Sequence, residues 1–568
     1  TAGGTLNGNN TLAGRFSVRF IPGFKNSIDL VLNIQQDDHP GLGFMSINYP
    51  NAEGITNPFH YVASLEQGKN LGIDRNVRDA TLTMKHFNNE NNFWTSTSSY
   101  RDFTSSSLQD GDGTAAPAFN WGESHRSWQF YQELRYNFSK KEHRMNGSYG
   151  ASFRMEKASR DYSYLTSEKD MFHLFYDTGS LVDGTGQPVP AATVPAGEIY
   201  GPLAGLPLDA TLREESLNRI NSQGLDVFWD FNYQLTRKWN ATIGVRALAE
   251  RFSLEYSAET AGGISSTLGQ LTGNNTGLFL RPATLRDIGG TSLGYTARGG
   301  LKYLFSENVN VFAGYSRGRR PKVMQYSPAA RKEALKPEMI NSYELGVKAS
   351  VKQRAWIDLG IYYHDYLHFQ TPLWAATADS GVFVRVVKDA GKAAAYGAEA
   401  NVKIAVMKGL HFFGNYAFSH ALFGNTNSSG DSLQYSGNRF RLTPEHSFAA
   451  GLNFRTEIAR GMYLFAIPSY SWKSQLFFDD ANTPGLEQTA YGLLNFRGGI
   501  ELEEQGLTLS VFGNNLLGEE YIISAGNAGS LYGAPTQVPG PPRMFGAKIG
   551  WNFQVKQKPY YKRNKRNR

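Results

Sequence analysis

The chain has no cysteine in 568 residues. That excludes thiol nucleophiles, thiolate-bound metals and disulfide cross-links, and it fits an oxidising compartment without requiring one. Long apolar runs are missing too: no stretch approaches the roughly 18 consecutive apolar residues that a membrane-spanning helix needs. No H-E-x-x-H and no phosphate-binding P-loop occurs, and no residue set nominates an enzyme, a metal site or a cofactor. Pro/Ser linkers and shifts in composition are absent as well, although roughly 100–200 residues per domain would divide this length into three or four domains.

Charge is scarce and unevenly placed. The formal net charge is +7. The tail beyond Phe553 carries Lys556, Lys558, Lys562, Arg563, Lys565, Arg566 and Arg568 without an acid, so the body is electroneutral. A nucleic-acid partner is therefore not expected. The basic segment 554–568 reads as a solvated tail, with attachment to an acidic surface as the alternative.

What the chain does have is aromatic residues (13%), 60 Gly, 30 Tyr and a polar mean hydropathy of −0.41. Its main signal is alternation. In Met145-Asn146-Gly147-Ser148-Tyr149-Gly150-Ala151-Ser152-Phe153-Arg154-Met155-Glu156 the odd positions are apolar or small, and Leu225 to Leu235 repeats the pattern. So do Ile28, Leu30, Leu32 and Ile34. Successive side chains of a strand point to opposite faces, so each segment has one apolar face and one mostly polar face.

A soluble sandwich would alternate in the same way, so the links decide. Short ones (Gly23–Asn26, Lys140–His143, Arg237–Lys238, Glu503–Gln505) alternate with long ones near 38–75, 105–126, 161–219, 257–290, 318–339, 424–445 and 522–541. Short turns at one rim and long loops at the other predict an all-β, transmembrane antiparallel β-barrel over residues 1–553. About nineteen strand segments can be read. Bacterial single-chain barrels have even counts, so the expectation is a barrel of twenty-two strands, with about three of them and any further domain upstream of this sequence. Trp128, Trp239, Trp356, Trp472, Trp551 and Phe553 lie near segment ends, where interfacial aromatics would form girdles at the two membrane rims.

Several segments resemble the TonB-dependent receptor family of outer-membrane active transporters. Leu335-Lys336-Pro337-Glu338 running into Ser342-Tyr343-Glu344-Leu345-Gly346-Val347-Lys348 is similar to that family's "LKPE…SYELGLK" strand. Lys392-Ala393 with Gly397-Ala398-Glu399, Asn515-Leu516-Leu517-Gly518-Glu519-Glu520-Tyr521 and the closing Pro542-Arg543…Phe553 match further family segments in order. Gln132-Glu133-Leu134-Arg135-Tyr136 resembles a strand of siderophore-receptor-like members. The resemblance implies import of a scarce solute, a metal–siderophore complex first, across the outer membrane of a Gram-negative bacterium. It also implies a plug domain and a TonB-binding segment, neither of which this sequence contains. The implied surroundings are outer-membrane lipid and lipopolysaccharide, and a surface lipoprotein or other complex subunit is an open partner. A passive porin-like channel and a structural barrel subunit of a surface or secretion complex stay open as alternatives.

Individual sites read more weakly. Phe172, His173, Phe175 and Tyr176, in the apolar run Met171–Tyr176 of the longest loop, are candidate ligand contacts, with packing of the loop on itself as the alternative. Arg317, Arg319 and Arg320, with Lys322, form a basic patch that could hold an anionic solute or a lipid phosphate, or simply charge the rim. His364 and His368 would stand about 13 Å apart on a strand, too far to share a metal, and His364 is expected to face lipid or the rim. Asp110-Gly111-Asp112-Gly113 faintly resembles a calcium loop but lacks the later carboxylates of one. Glu344 and Arg135 are expected to project into the lumen.

Overall fold

The structure, a computed structural model, describes residues 5–552 except 141–143, 177–179, 264, 272–276, 327–331, 353, 377–382, 426–433, 527–529 and 531–532. Phe553 and the basic tail therefore lie outside the described residues. Nineteen strands form one sheet. In chain order they are β1 Thr11–Phe20, β2 Asn26–Pro40, β3 Gly72–Asn89, β4 Asn92–Asp110, β5 Phe119–Lys140, β6 Met145–Thr166, β7 Leu212–Gln234, β8 Trp239–Thr260, β9 Ala283–Ser306 and β10 Val309–Arg320. There follow β11 Glu338–Val351, β12 Ala355–Leu367, β13 Ala393–Met407, β14 Leu410–Phe423, β15 His446–Ala459, β16 Met462–Lys473, β17 Tyr491–Leu502, β18 Leu507–Asn514 and β19 Met544–Trp551.

Every pair is antiparallel between chain neighbours, from Phe16 opposite Leu32 at one end to Val511 opposite Ala547 at the other. Among the described residues no strand pairs with the outer edge of β1 or of β19. Links strictly alternate in length. The short rim uses turns such as Lys408-Gly409, where Gly409 takes φ +79° and an added Cβ would meet the Arg455 carbonyl, so glycine is required there.

Register assigns the faces, because directly opposed residues share one. Leu134, Ala151, Val227 and Ala247 stand in a single row across β5–β8, as do Tyr136, Tyr149, Trp229 and Val245. Leu225, Val227, Trp229, Ile243, Val245, Leu345, Leu359 and Ile361 are all exposed. A wide, exposed apolar face of this kind is the lipid-facing surface of a barrel.

Two expectations need correcting. The loops predicted at 105–126, 161–219 and 257–290 shrink to 111–118, 167–211 and 261–282, because the strands continue past the bilayer. A span needs about 9–11 residues, while β5 to β9 have 22 to 24. Above the bilayer both faces become polar, as in Thr104-Ser105-Ser106-Ser107, so the alternation fades while the hydrogen-bond ladder persists. Two further long links, 368–392 and 474–490, which were not among the long links named from the sequence, carry the hairpins Gln370–Ala376/Phe383–Asp389 and Leu476–Phe477/Glu487–Gln488.

Candidate ligand-binding lumen and loop layer

The face opposite the lipid row is polar and densely paired. On β5–β9, Arg135 reaches Glu133 at 3.6 Å, Arg154 reaches Glu250 at 3.6 Å and Arg246 reaches Asp226 at 3.1 Å. Arg298 grips Asp230 through two nitrogens, at 2.6 and 2.8 Å. Ser152 donates to Asp226 at 2.7 Å, and the Arg246 guanidinium lies over the Phe228 ring at 4.9 Å. Sequence reading singled out only Arg135 and Glu344 of this wall. The others were legible in principle as the polar phase of each strand, but nothing in the pattern says which charges pair. The arginines are 40–58% exposed, so each pair adds at most about 1 kcal/mol to stability. What the wall supplies is fixed charge lining a wet interior.

β11 and β12 carry the wall further. Glu344 lies opposite Tyr362, and Ser342 opposite His364. Tyr362 stacks on His364 at 4.7 Å, and His364 meets Tyr366 edge-on at 6.4 Å. His364 thus faces the lumen rather than lipid, because it shares the phase of Glu344. His368 sits beyond the strand and pairs with Asp389 at 2.8 Å.

Trp356 is corrected by the same rule. It lies opposite Ser350 and Lys403, in phase with Asp358 and Tyr362, and so stands on the lumen face near the short-turn rim. Trp128, Trp239, Trp472 and Trp551 share the outward face. Trp239 packs on Tyr303 at 4.7 Å and Trp472 on Phe448 at 5.7 Å. Trp94 and Trp229, not singled out from the sequence, are on that face as well.

The three arginines of the basic patch have different surroundings. Pairing between β9 and β10 stops at Ala297 opposite Arg317. Beyond that point Arg319 enters the gap and reaches Glu250 at 2.6 Å and Ser292 at 2.5 Å, and its side chain is 2% exposed. Arg317 stacks over Tyr295 at 5.0 Å and donates to Asn341 at 3.1 Å. Arg320 donates to the Gln370 carbonyl at 3.0 Å and faces Glu338 at 3.7 Å. Sequence adjacency suggested one patch; the strand's alternation and the gap separate it. Gly314-Tyr315-Ser316-Arg317-Gly318 has the G-x-S-x-G spacing, but it runs through mid-strand, with no strand-to-helix turn to present Ser316 as a nucleophile.

Above the bilayer the long loops pack on one another. Met171, Phe172, Leu181, Leu268 and Leu278 are fully buried, beside Ala116, Phe119, Leu208, Tyr256 and Phe423 from other links and strand ends. The helix Glu168–Tyr176 starts where Ser167 and Asp170 bond to each other, and burial pushes the Asp170 carboxyl up. Glu168 accepts from the Leu268 amide at 3.0 Å and the Asp209 amide at 2.8 Å, so one carboxylate ties three loop segments together. Phe172 stacks on Tyr176 at 4.9 Å and meets Tyr200 at 5.8 Å. Its side chain belongs to the loop core, while His173, Phe175 and Tyr176 are only partly buried.

Residues 31–516 match the family model "TonB dependent receptor-like, beta-barrel". The ferrichrome outer membrane transporter/phage receptor of Escherichia coli (strain K12) is 26% identical over 253 residues, 43% of this chain and 31% of that protein. The chain thus spans under a third of that curated relative. The ferric yersiniabactin uptake receptor FyuA from Yersinia pestis superposes with a TM-score of 0.71 at 16% identity, covering 96% of this chain and 71% of that one. The siderophore receptor PiuA from Acinetobacter baumannii gives 0.64 at 14% identity, covering 95% and 73%.

Proposed function

Because the chain belongs to the TonB-dependent receptor family, whose barrel model covers most of it, we propose that it imports a metal–siderophore complex across the outer membrane. The observation that carries this reading is the pairing of a charged, hydrogen-bonding lumen wall with a folded loop layer above it. Such a layer can hold a bulky polar solute before it enters. The partly buried face of His173, Phe175 and Tyr176 offers the apolar contacts, and Arg320, in the lumen phase of Glu338, offers positive charge to an anionic chelate, whereas Arg317 shares the outward row of Ala297 and Val245 and does not. TonB supplies the energy. The edges of β1 and β19, unpaired among the described residues, support a barrel of twenty-two strands. Outer-membrane lipid and lipopolysaccharide surround the outward face.

The test is equilibrium binding of ferric hydroxamate, ferric catecholate and ferric citrate to the full-length protein, read by intrinsic tryptophan fluorescence, beside single-channel conductance. Saturable binding of one class with negligible constitutive current supports the importer. A large open current without binding would establish the passive channel instead, and stoichiometric co-purified partners without binding would establish a structural subunit.

A further inference from the structure

The Asp110-Gly111-Asp112-Gly113 turn, which import does not use, is buried to an unusual degree. Asp110 is 4% exposed, Asp112 1% and Thr114 0%. Asp110 Oδ1 accepts from the amides of Asp112 at 3.0 Å and Gly113 at 2.7 Å. Asp112 is saturated: Oδ1 takes the Thr114 amide and hydroxyl, and Oδ2 takes the Phe119 amide. Its role is to shape the turn.

Two oxygens are left over. Asp110 Oδ2 and Asn120 Oδ1 are buried without a well-formed hydrogen bond, although the Asp110 carboxylate also draws on the Glu66 amide, and Asp110 and Asn120 are directly opposed across β4 and β5. Opposed side chains have Cβ atoms about 5 Å apart on one face. Asn120 is 2% exposed, and its amide nitrogen donates to Glu66 Oε2 at 3.1 Å. This assigns the amide's orientation and leaves its oxygen free. Glu66 lies close enough to Asp110 for its charge to act there, and burial raises the Asp112 carboxyl beside them. An unpaired buried oxygen is costly, more so when charged. Two of them beside a second carboxylate form an oxygen-only set that a cation would satisfy. Among the described residues no three acidic or histidine side chains close on one point, so the third donor is the Asn120 amide, a ligand type that calcium accepts and softer metals do not favour.

We propose that Asp110, Asn120 and Glu66 form a binding site for a hard divalent cation of calcium's size, pinning the 111–118 turn to the 41–71 loop. The turn is already the meeting point of three links: the Gly113 carbonyl accepts from the Ser46 amide, and Met45–Ser46 pairs with Thr536–Gln537. A cation there would stiffen the loop layer from one corner.

The probe is Tb3+ added to the full-length, EGTA-stripped protein in detergent, with Trp121 next to Asn120 as the sensitiser. The expected result is sensitised luminescence that Ca2+ displaces with a half-effect of about 0.1–1 mM, the range of extracellular calcium modules, and that Mg2+ at the same concentration does not. Asp110→Asn keeps the Oδ1 acceptor of the turn, and Asn120→Ala leaves the turn untouched. Each should weaken the Ca2+ competition at least tenfold while the barrel keeps its heat-modifiable gel migration. No sensitised signal, or Ca2+ competition unchanged in both folded variants, would overturn the site and leave protons to neutralise the pair.

Discussion

Phe172→Ala tests whether the loop layer folds as a core of its own. The side chain is fully buried between Tyr176 and Tyr200, with Met171 and Leu181 in the same cluster. Removing a buried phenylalanine loses roughly 1.5–3 kcal/mol of transfer free energy. The cavity left behind brings the total to about 3–5 kcal/mol. The nineteen-strand ladder does not contain this residue, so the loss should fall on local opening of the 167–211 loop rather than on global unfolding. At about 1.4 kcal/mol per tenfold, opening becomes roughly a hundred to a few thousand times more populated. Limited proteolysis of the full-length protein reads this directly when reclosing is fast relative to cleavage. Cleavage within 167–211 should accelerate by about two orders of magnitude, with the barrel's heat-modifiable gel shift unchanged. An unchanged cleavage rate would refute the loop core and return Phe172 to the list of solvent-reachable ligand contacts.

Other positions make sharper or smaller claims. Glu250→Gln removes the carboxylate facing Arg319, which is 2% exposed, so stability should fall by about 3–5 kcal/mol in denaturant melts; a loss below 1 kcal/mol would show that the guanidinium is not held there. Val227→Arg places a charge in the lipid row and should cost about 2–4 kcal/mol in bilayer refolding, while Asp226→Asn, one residue away on the lumen face, should change it by about 1 kcal/mol or less. Equal costs would invalidate the face assignment. Brominated lipid chains should quench Trp229 and Trp239 in single-tryptophan variants and spare Trp356; strong quenching of Trp356 would place it back at the membrane rim.

The barrel was legible because two independent signals, alternation and sorted link lengths, follow from the same physics. Tyr149, Ala151 and Phe153 had to share a face, and the register places them in rows with Trp229, Val227 and Leu225. Position near a segment end was a poorer guide than phase, which is why Trp356 was grouped with the girdle although it shares the phase of Asp358. The loops hid more. Met171–Tyr176 reads as an apolar cluster whether it receives a ligand or packs inward, and only the distant partners Tyr200, Leu268 and Leu278 decide for Phe172. Arg319 was equally opaque, because its burial depends on where β9 and β10 part, a property of no single segment. The calcium reading of Asp110-Gly111-Asp112-Gly113 looked weak because its candidate partners, Asn120 and Glu66, come from a neighbouring strand and another loop.

Energised import is distinguished from passive leakage by uptake of radiolabelled iron, bound to whichever siderophore the full-length protein binds, in cells with and without TonB. Saturable uptake that disappears without TonB while surface binding remains is expected of an importer. Uptake that continues unchanged without TonB, rising linearly with concentration, would contradict energised import.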